Sequence, residues 1–225
     1  IQRKENISTM IQFQCDYTEG AHESILKRLT ETNYEQTIGY GCDDYCEEAR
    51  NTIRRVFGVP DAGVHFLVGG TQANATVIAA ALKPYQGVIC ASTGHIFVHE
   101  TGAIEATSHK VLAMPTSMGK ITAAQVSHYC RAHYANSDRE HEVQPGMVYI
   151  SLPTELGTLY TKAELEALYQ VCEEFHMYLF VDGARLGYGL MASDCDITPE
   201  FLAAHCDVFY AGGTKMGALF GEAVV

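Results

Sequence analysis

Short apolar runs alternate with segments of helical periodicity along most of the chain. Such runs are typical of strands buried on both faces of a parallel sheet, whereas apolar residues at every third or fourth position indicate helices. The runs that predict strands lie at 64–68, 88–90, 110–112, 147–152, 178–181 and 208–211, and the periodic segments lie at 22–29, 46–57, 75–82, 122–134 and 161–175. Because strands and helices alternate, the pattern predicts an α/β fold with a mostly parallel sheet.

Local signals mark several of the predicted helix starts. Capping boxes begin at Thr122 and at Thr161, each with a glutamine or glutamate three residues later. Thr198 followed by Pro199 is typical of a short helix with threonine as N-cap and proline at its first position. The segment 187–191 contains two glycines and is predicted to be a loop.

An acid and a base follow two of the predicted strands. Asp182 ends the run at 178–181, and Lys215 lies 33 positions downstream, after a second apolar run and two glycines. Ligands of open α/β sheets bind outside the carboxyl ends of the strands, so we expect these two side chains to contact opposite ends of one cofactor. For Asp182 alone, a turn aspartate is the alternative, because Asp-Gly is also a common turn signal.

A glycine pair before a helix forms a second candidate site. Gly69 and Gly70 follow the strand at 64–68 and precede Thr71, Gln72 and an alanine-rich segment. Free backbone N–H groups and the positive end of the helix dipole would face such a loop, which favours phosphate binding. The sequence is neither a Walker loop nor a GxGxxG fingerprint. A tight turn that needs a glycine with positive φ is the alternative.

The composition excludes several classes of protein. The chain has 225 residues, 47% of them hydrophobic, and a formal net charge of −12 without a cluster of lysine and arginine. This balance argues against nucleic acid and anionic membranes as partners, and no 18-residue apolar run predicts a membrane span. The polar N terminus is unlike a secretory signal. Eight scattered cysteines without zinc-type spacing favour free thiols, a cytoplasmic location and no metal site.

Four motifs, in order, resemble the pyridoxal-phosphate enzymes of fold type I, and among them the threonine aldolase and β-eliminating lyase group. The motifs are Gly-Gly-Thr-Gln-Ala-Asn at 69–74, Gly-His-Ile at 94–96, Val-Asp-Gly-Ala-Arg at 181–185 and Gly-Thr-Lys at 213–215. Each is weakly specific, but together they span nearly the whole chain. The resemblance implies the large domain of such an enzyme, with a mostly parallel sheet between two helical layers.

The resemblance also implies roles around the cofactor ring. Lys215 would hold pyridoxal 5′-phosphate covalently, Asp182 would bind the pyridinium nitrogen, and His95 would stack on the ring and act as an acid or base. A lone histidine is most often simply packed, so this role depends on the resemblance. An acid beside the ring nitrogen favours its protonated form, the electron sink that makes a carbanion at Cα accessible.

The remaining cofactor-binding residues implied by the resemblance surround the phosphate and the substrate. Gly70 and Thr71 would bind the phosphate, with Gln72 beside them in the same motif. Arg185 would lie near a cofactor oxygen or the carboxylate of a small amino-acid substrate. Near the N terminus, Asp16 matches the acid of the family's Ser-Asp-x-x-Thr motif.

The predicted reaction is retro-aldol cleavage of a β-hydroxy-α-amino acid into glycine and an aldehyde. In threonine aldolases, a histidine near the substrate hydroxyl typically follows the strand that corresponds to 147–152. Here Glu155 occupies that place, which favours the alternative of β-elimination or transamination on the same cofactor. A cofactor-free α/β binding module, in which the glycines are only turns, is a third hypothesis.

The same resemblance implies a domain organisation. Residues 1–60 are expected to form a helical arm and entry segment, and residues 61–225 the cofactor-binding large domain. Because the sequence ends in the apolar, strand-like segment 221–225, we expect it to be part of a longer chain. The resemblance implies a smaller C-terminal domain beyond it and a homodimer or homotetramer in which Tyr40 and its loop reach a neighbouring subunit.

Overall fold

In the computed structural model, which describes residues 11–225, seven strands form one sheet in the order β1-β7-β6-β5-β4-β2-β3. The strands are β1 (His65–Leu67), β2 (Gln86–Ala91), β3 (Val111–Met114), β4 (Gln144–Ser151), β5 (Tyr178–Asp182), β6 (Val208–Gly212) and β7 (Glu222–Val224). Strands β2 to β6 pair in parallel, and β7 is antiparallel to both of its neighbours. The prediction of a mostly parallel sheet is therefore confirmed.

Helices cover both faces of this sheet. They are α1 (Glu23–Thr32), α2 (Asp44–Phe57), α3 (Gly70–Ala81), α4 (His95–Val98), α5 (Ala123–Ala135), α6 (Lys162–Glu174), α7 (Leu186–Leu190) and α8 (Pro199–Ala204). Thr122 and Thr161 form the predicted capping boxes, and Thr198 caps α8 with Pro199 in its first turn. Among the described residues, none of the helices combines the length and the apolar character that crossing a bilayer needs.

Two hydrophobic cores lie on opposite faces of the sheet. Val148 and Ile150 of β4 pack in one core with residues of α5 and α6, whereas Met147 and Tyr149 pack in the other with α3. Successive side chains of a strand point to opposite faces, so a run of apolar residues fills both cores. This arrangement confirms the predicted three layers and places Asp182 on the α3 face, two residues after Phe180.

Two predicted boundaries are wrong. Helix α3 begins at Gly70, five residues before the predicted start, so the glycine pair is the helix N-terminus itself. The segment 187–191, predicted as a loop, lies mostly in helix α7. Its glycines serve close packing, because a Cβ on Gly187 would lie 2.4 Å from Sδ of Met216 and one on Gly189 would lie 2.9 Å from Pro153. Residues 1–10 of the predicted arm lie outside the described part of the chain.

Glycine is required where β5 meets β6. A Cβ on Gly183, directly after Asp182, would lie 1.9 Å from the backbone oxygen of Tyr210. We therefore expect Gly183→Ala to lower the free energy of unfolding of the full-length protein by about 3 kcal/mol or more, since overpacking against backbone cannot relax easily. Gly20→Ala is the control, because no atom lies within 4 Å of its Cβ. Denaturant titration measures both variants, and equal midpoints would contradict the prediction.

Candidate active site

A cleft of about 630 Å³ opens where β4, β5 and β6 end. Six of the seven residues predicted to bind the cofactor line it, namely Gly70, Thr71, His95, Asp182, Arg185 and Lys215. Gln72 lies outside the lining, and its Oε1 accepts a hydrogen bond of 2.9 Å from the backbone N–H of Val68. The N-terminal residues Asp16 and Tyr17 also line the cleft.

Asp182 is buried and accepts hydrogen bonds from four donors. Its Oδ1 accepts from the hydroxyl of Tyr210 at 2.5 Å and the backbone N–H of Ala184 at 2.9 Å, and its Oδ2 accepts from the hydroxyl of Tyr149 and from Nδ2 of Asn74 at 3.2 Å. Burial and the charge of Asp182 raise the pKa of both tyrosine hydroxyls well above its usual value. The tyrosines therefore remain donors, and the carboxylate is fixed at the end of β5.

Lys215 lies in a single 3₁₀ turn, Thr214–Met216, whose start is held by hydrogen bonds. The buried carboxylate of Glu222 accepts from the backbone N–H of Gly213 at 3.1 Å and from Oγ1 of Thr214 at 2.7 Å. Burial, followed by the charge of Arg185, lowers the pKa of Lys215. A lysine with a lowered pKa is deprotonated more readily, and the free amine is the form that attacks carbonyl carbon.

Arg185 forms an ion pair with Asp16 at the mouth of the cleft. Nη2 of Arg185 lies 3.2 Å from Oδ1 of Asp16, and its Nε binds the other carboxylate oxygen. Nζ of Lys215 lies 5.8 Å from the ring centroid of Tyr17, beside the same acid. The segment before α1 thus contributes an acid and an aromatic ring to the site.

His95 also lines the cleft and is the first residue of helix α4. Its Nδ1 is 2.7 Å from Oε1 of Glu100, and its backbone N–H donates to Oε1 of Glu155 at 2.8 Å. The hydrogen bond with Glu100 raises the pKa of His95, although burial opposes this shift. The imidazole is therefore held by a carboxylate and retains its proton to higher pH than a free histidine.

The site contains functional candidates that sequence reasoning missed. They are Asn74, Glu100, Tyr149, Tyr210 and Glu222, all of them buried. The two tyrosines have a usable sequence signal, because a tyrosine within a buried strand usually needs a partner for its hydroxyl. Glu100 and Glu222 have no such sequence signal, because an acid is rarely buried and the sequence does not show when it is.

The residues present fit pyridoxal 5′-phosphate. The first N–H groups of α3 have no partner within the helix, and they lie at Gly70 and Thr71 beside the cleft. A Cβ on Gly70 would lie 3.0 Å from the hydroxyl of Tyr210, so glycine keeps this helix end close to the sheet. An anion site, a buried acid and a lysine thus face one cavity, as a phosphate, a pyridinium nitrogen and an aldehyde require.

Comparisons with known proteins agree with this geometry. Residues 12–225 match the family model described as β-eliminating lyase. The chain is 32% identical to the low specificity L-threonine aldolase of Pseudomonas aeruginosa over 216 residues, which cover 95% of this chain and 61% of that protein. A solved structure of Leishmania major threonine aldolase superposes with a TM-score of 0.89 at 45% identity, covering 93% of this chain and 60% of that one.

The same fold occurs in a pyridoxal-phosphate-bound C–S lyase from Staphylococcus hominis, with a TM-score of 0.64 at 14% identity over 92% of this chain and 53% of that one. The chain spans about 60% of the length of the P. aeruginosa and L. major proteins. The predicted family, fold class and pyridoxal 5′-phosphate cofactor are confirmed by these matches. With its sequence matching the family model over almost its whole length, the chain belongs to the β-eliminating lyase family.

Proposed function

We propose that the full-length protein is a lyase that uses pyridoxal 5′-phosphate to cleave the Cα–Cβ bond of β-hydroxy-α-amino acids, threonine among them, giving glycine and an aldehyde. The observation that best supports it is that Asp182, His95 and Lys215, which lie at or after the ends of three different strands, line one cleft. The chain that brings them together is 45% identical to the L. major threonine aldolase.

The proposed roles of the ring-binding residues follow from their surroundings. Asp182 would bind the ring nitrogen with a carboxylate that four donors orient. Lys215 would hold the cofactor covalently, because its lowered pKa favours the free amine that this bond requires. His95 would stack on the ring and exchange a proton near the substrate's β-carbon. When bound, the cofactor withdraws electrons from the substrate's α-carbon.

The remaining site residues would bind the charged ends of cofactor and substrate. Gly70 and Thr71 at the start of α3 offer N–H groups to the phosphate, with Gln72 holding the preceding turn through Val68. Arg185, which the acid Asp16 fixes, binds a cofactor oxygen or the substrate carboxylate.

Glu155 favours a second candidate function, β-elimination from another small amino acid. Its Oε1 accepts from Oγ of Ser151 at 2.6 Å and from the backbone N–H of His95 at 2.8 Å, so a carboxylate is held at the cleft where threonine aldolases have a histidine. The replacement of that histidine is what favours elimination of a leaving group other than a β-hydroxyl, whereas a carboxylate that accepts the hydroxyl proton is compatible with the proposed cleavage.

Product analysis separates the two candidates. Full-length protein supplied with pyridoxal 5′-phosphate is incubated with threonine, and separately with serine and with cysteine. We expect glycine and acetaldehyde from threonine as the main reaction, measured by chromatography and an aldehyde-coupled assay. Pyruvate without glycine would favour β-elimination, and the lack of glycine from any β-hydroxy amino acid would refute the proposed cleavage.

The exposure of helix α1 supports a proposed homodimer or homotetramer. Helix α1 has no buried residue, and about half of the surface of Leu26 and of Leu29 is exposed. An amphipathic helix normally buries its apolar stripe, so another surface is expected to cover it. Tyr40, fully exposed with φ of 63°, lies in the loop proposed to reach a neighbouring subunit. We accordingly retain residues 1–60 as an arm and residues 61–225 as the large domain.

A cytoplasmic location is proposed from the cysteines. All eight lie in the described residues, and all are free thiols. Cys90, Cys130, Cys172 and Cys206 are buried, and burial raises the pKa of the Cys90 thiol to about 12. Unpaired thiols are typical of proteins in a reducing compartment.

A further inference from the structure

We propose that Glu100 is a positioning residue whose buried carboxylate orients the His95 ring and connects it, through Asn74, to Asp182. The inference rests on the proposed function, because His95 and Asp182 are the groups expected to contact the two sides of the cofactor ring. It adds two residues, Glu100 and Asn74, that lie beneath the cleft rather than on its surface.

The carboxylate of Glu100 is buried and contacts both His95 and Asn74. Its side chain is 0% exposed, and its Oε1 lies 2.7 Å from Nδ1 of His95 and 2.7 Å from Nδ2 of Asn74. Within residues 11–225, its Oε2 has no hydrogen-bond partner. A buried carboxylate is costly unless it is paired, so the contacts with His95 and Asn74 account for its presence there.

Asn74 connects Glu100 to Asp182. Its Nδ2 donates to Oε1 of Glu100 and to Oδ2 of Asp182 at 3.2 Å, while its Oδ1 has no partner among the described residues. The orientation of the amide is determined by its neighbours, since turning it over would place the carbonyl oxygen beside two carboxylates. The two hydrogens of one amide thus bridge the acid beneath His95 and the acid at the end of β5.

This arrangement determines which nitrogen of His95 exchanges protons. A carboxylate only accepts hydrogen bonds, so Nδ1 of His95 must bear the hydrogen that points to Glu100. Nε2 is left as the nitrogen that can exchange a proton with a substrate or water in the cleft. The second partner of a histidine commonly fixes its tautomer and its basicity in this way.

The charges around His95 indicate that Glu100 has the largest effect on its pKa. Glu100 and Asp182 raise it, whereas Lys215 and burial lower it. Two further titratable groups are near: Glu155 accepts the backbone N–H of His95, and the ring centroid of His99 lies 5.4 Å away. An anion in direct contact outweighs these more distant charges.

The competing explanation is that Glu100 only anchors the turn after α4, where its backbone oxygen accepts from the N–H of Ala103. A purely structural role predicts lower stability without a change in the protonation of His95. The two explanations therefore differ in a quantity that is measured at the His95 ring, independently of turnover.

The test uses ¹⁵N-histidine NMR of the full-length holoenzyme, with the His95 signals assigned by their loss in His95→Gln. In the unmodified protein, we expect Nδ1 to be protonated throughout and Nε2 to titrate. Glu100→Gln keeps the shape and one acceptor but removes the charge, so the acid dissociation constant of His95 should rise about tenfold. Glu105→Gln removes an exposed charge nearby and should leave it unchanged. Glu100→Gln should also lower kcat more than it changes KM.

Each outcome decides between a positioning role and a purely structural role of Glu100. A protonated Nε2 with a bare Nδ1 in the unmodified protein overturns the inference without any variant having to fold. An unchanged His95 titration in a folded Glu100→Gln protein also overturns it. If the protein binds no pyridoxal 5′-phosphate or forms no glycine, the proposed function fails, yet the same His95 titration recorded on the cofactor-free full-length protein and its Glu100→Gln variant still decides whether Glu100 orients His95.

Discussion

Lys215→Ala is expected to abolish catalysis by the full-length protein and to remove the covalent attachment of its cofactor. Burial and Arg185 already lower the pKa of this lysine, and the side chain lies in the cleft. Proton transfer by a positioned side chain contributes about 10²–10⁴-fold to rate, and Lys215 would also provide the covalent bond, so kcat should fall by about 10³-fold or more. Steady-state release of glycine from threonine measures the loss.

Two further variants distinguish chemistry from charge. Lys215→Arg keeps a positive charge in the cleft but offers no amine that can lose its proton, so it should be as inactive as Lys215→Ala. Lys110→Ala, at an exposed lysine directly before β3, should keep full activity. Borohydride treatment should leave a fluorescent adduct on the unmodified protein and on Lys110→Ala, but not on either Lys215 variant. Activity retained in Lys215→Ala would remove this residue from the mechanism.

The sequence was sufficient for the parts of the site that depend on strand ends. Asp182 and Lys215 each follow an apolar run, and parallel strands bring such positions to one edge of a sheet. The register supports this, since Val181 of β5 pairs with Phe209 of β6, the strand that leads to Lys215. Because the geometry of a parallel sheet is general, the apolar runs alone predicted that both side chains would lie at the same edge of the sheet.

Contacts between distant segments could not be predicted in the same way. Asn74 and Asp182 are 108 positions apart, and Asn74 and Glu100 are 26 apart. Neither spacing has a pattern, because the meeting of α3 with β5 and with the turn after α4 is decided by packing across the sheet face. The early start of α3 at Gly70 was also missed, since glycine has a low helix propensity that tertiary contacts override here.

Asp182→Asn is expected to have the second large effect, on kcat and on stability together. The substitution removes the charge that would keep the ring nitrogen protonated, and removal of one preorganised electrostatic partner costs about 10²–10³-fold in kcat. It also replaces one of the two acceptor oxygens by an N–H₂ group, which faces either Tyr210 and the backbone N–H of Ala184 or Tyr149 and Asn74. A buried unsatisfied donor costs about 1–3 kcal/mol, so the free energy of unfolding should fall by a similar amount.

Tyr210→Phe separates the two effects, because it removes one donor to Asp182 and leaves the carboxylate charge in place. We expect it to lose stability comparable to that lost by Asp182→Asn while retaining most of the kcat. Denaturant titration and glycine release are measured on both variants, with Asp194→Asn, at an exposed acid, as the neutral reference. If Tyr210→Phe loses as much kcat as Asp182→Asn, the carboxylate matters for the shape of the site rather than for its charge, and the proposed role of Asp182 at the ring nitrogen is wrong.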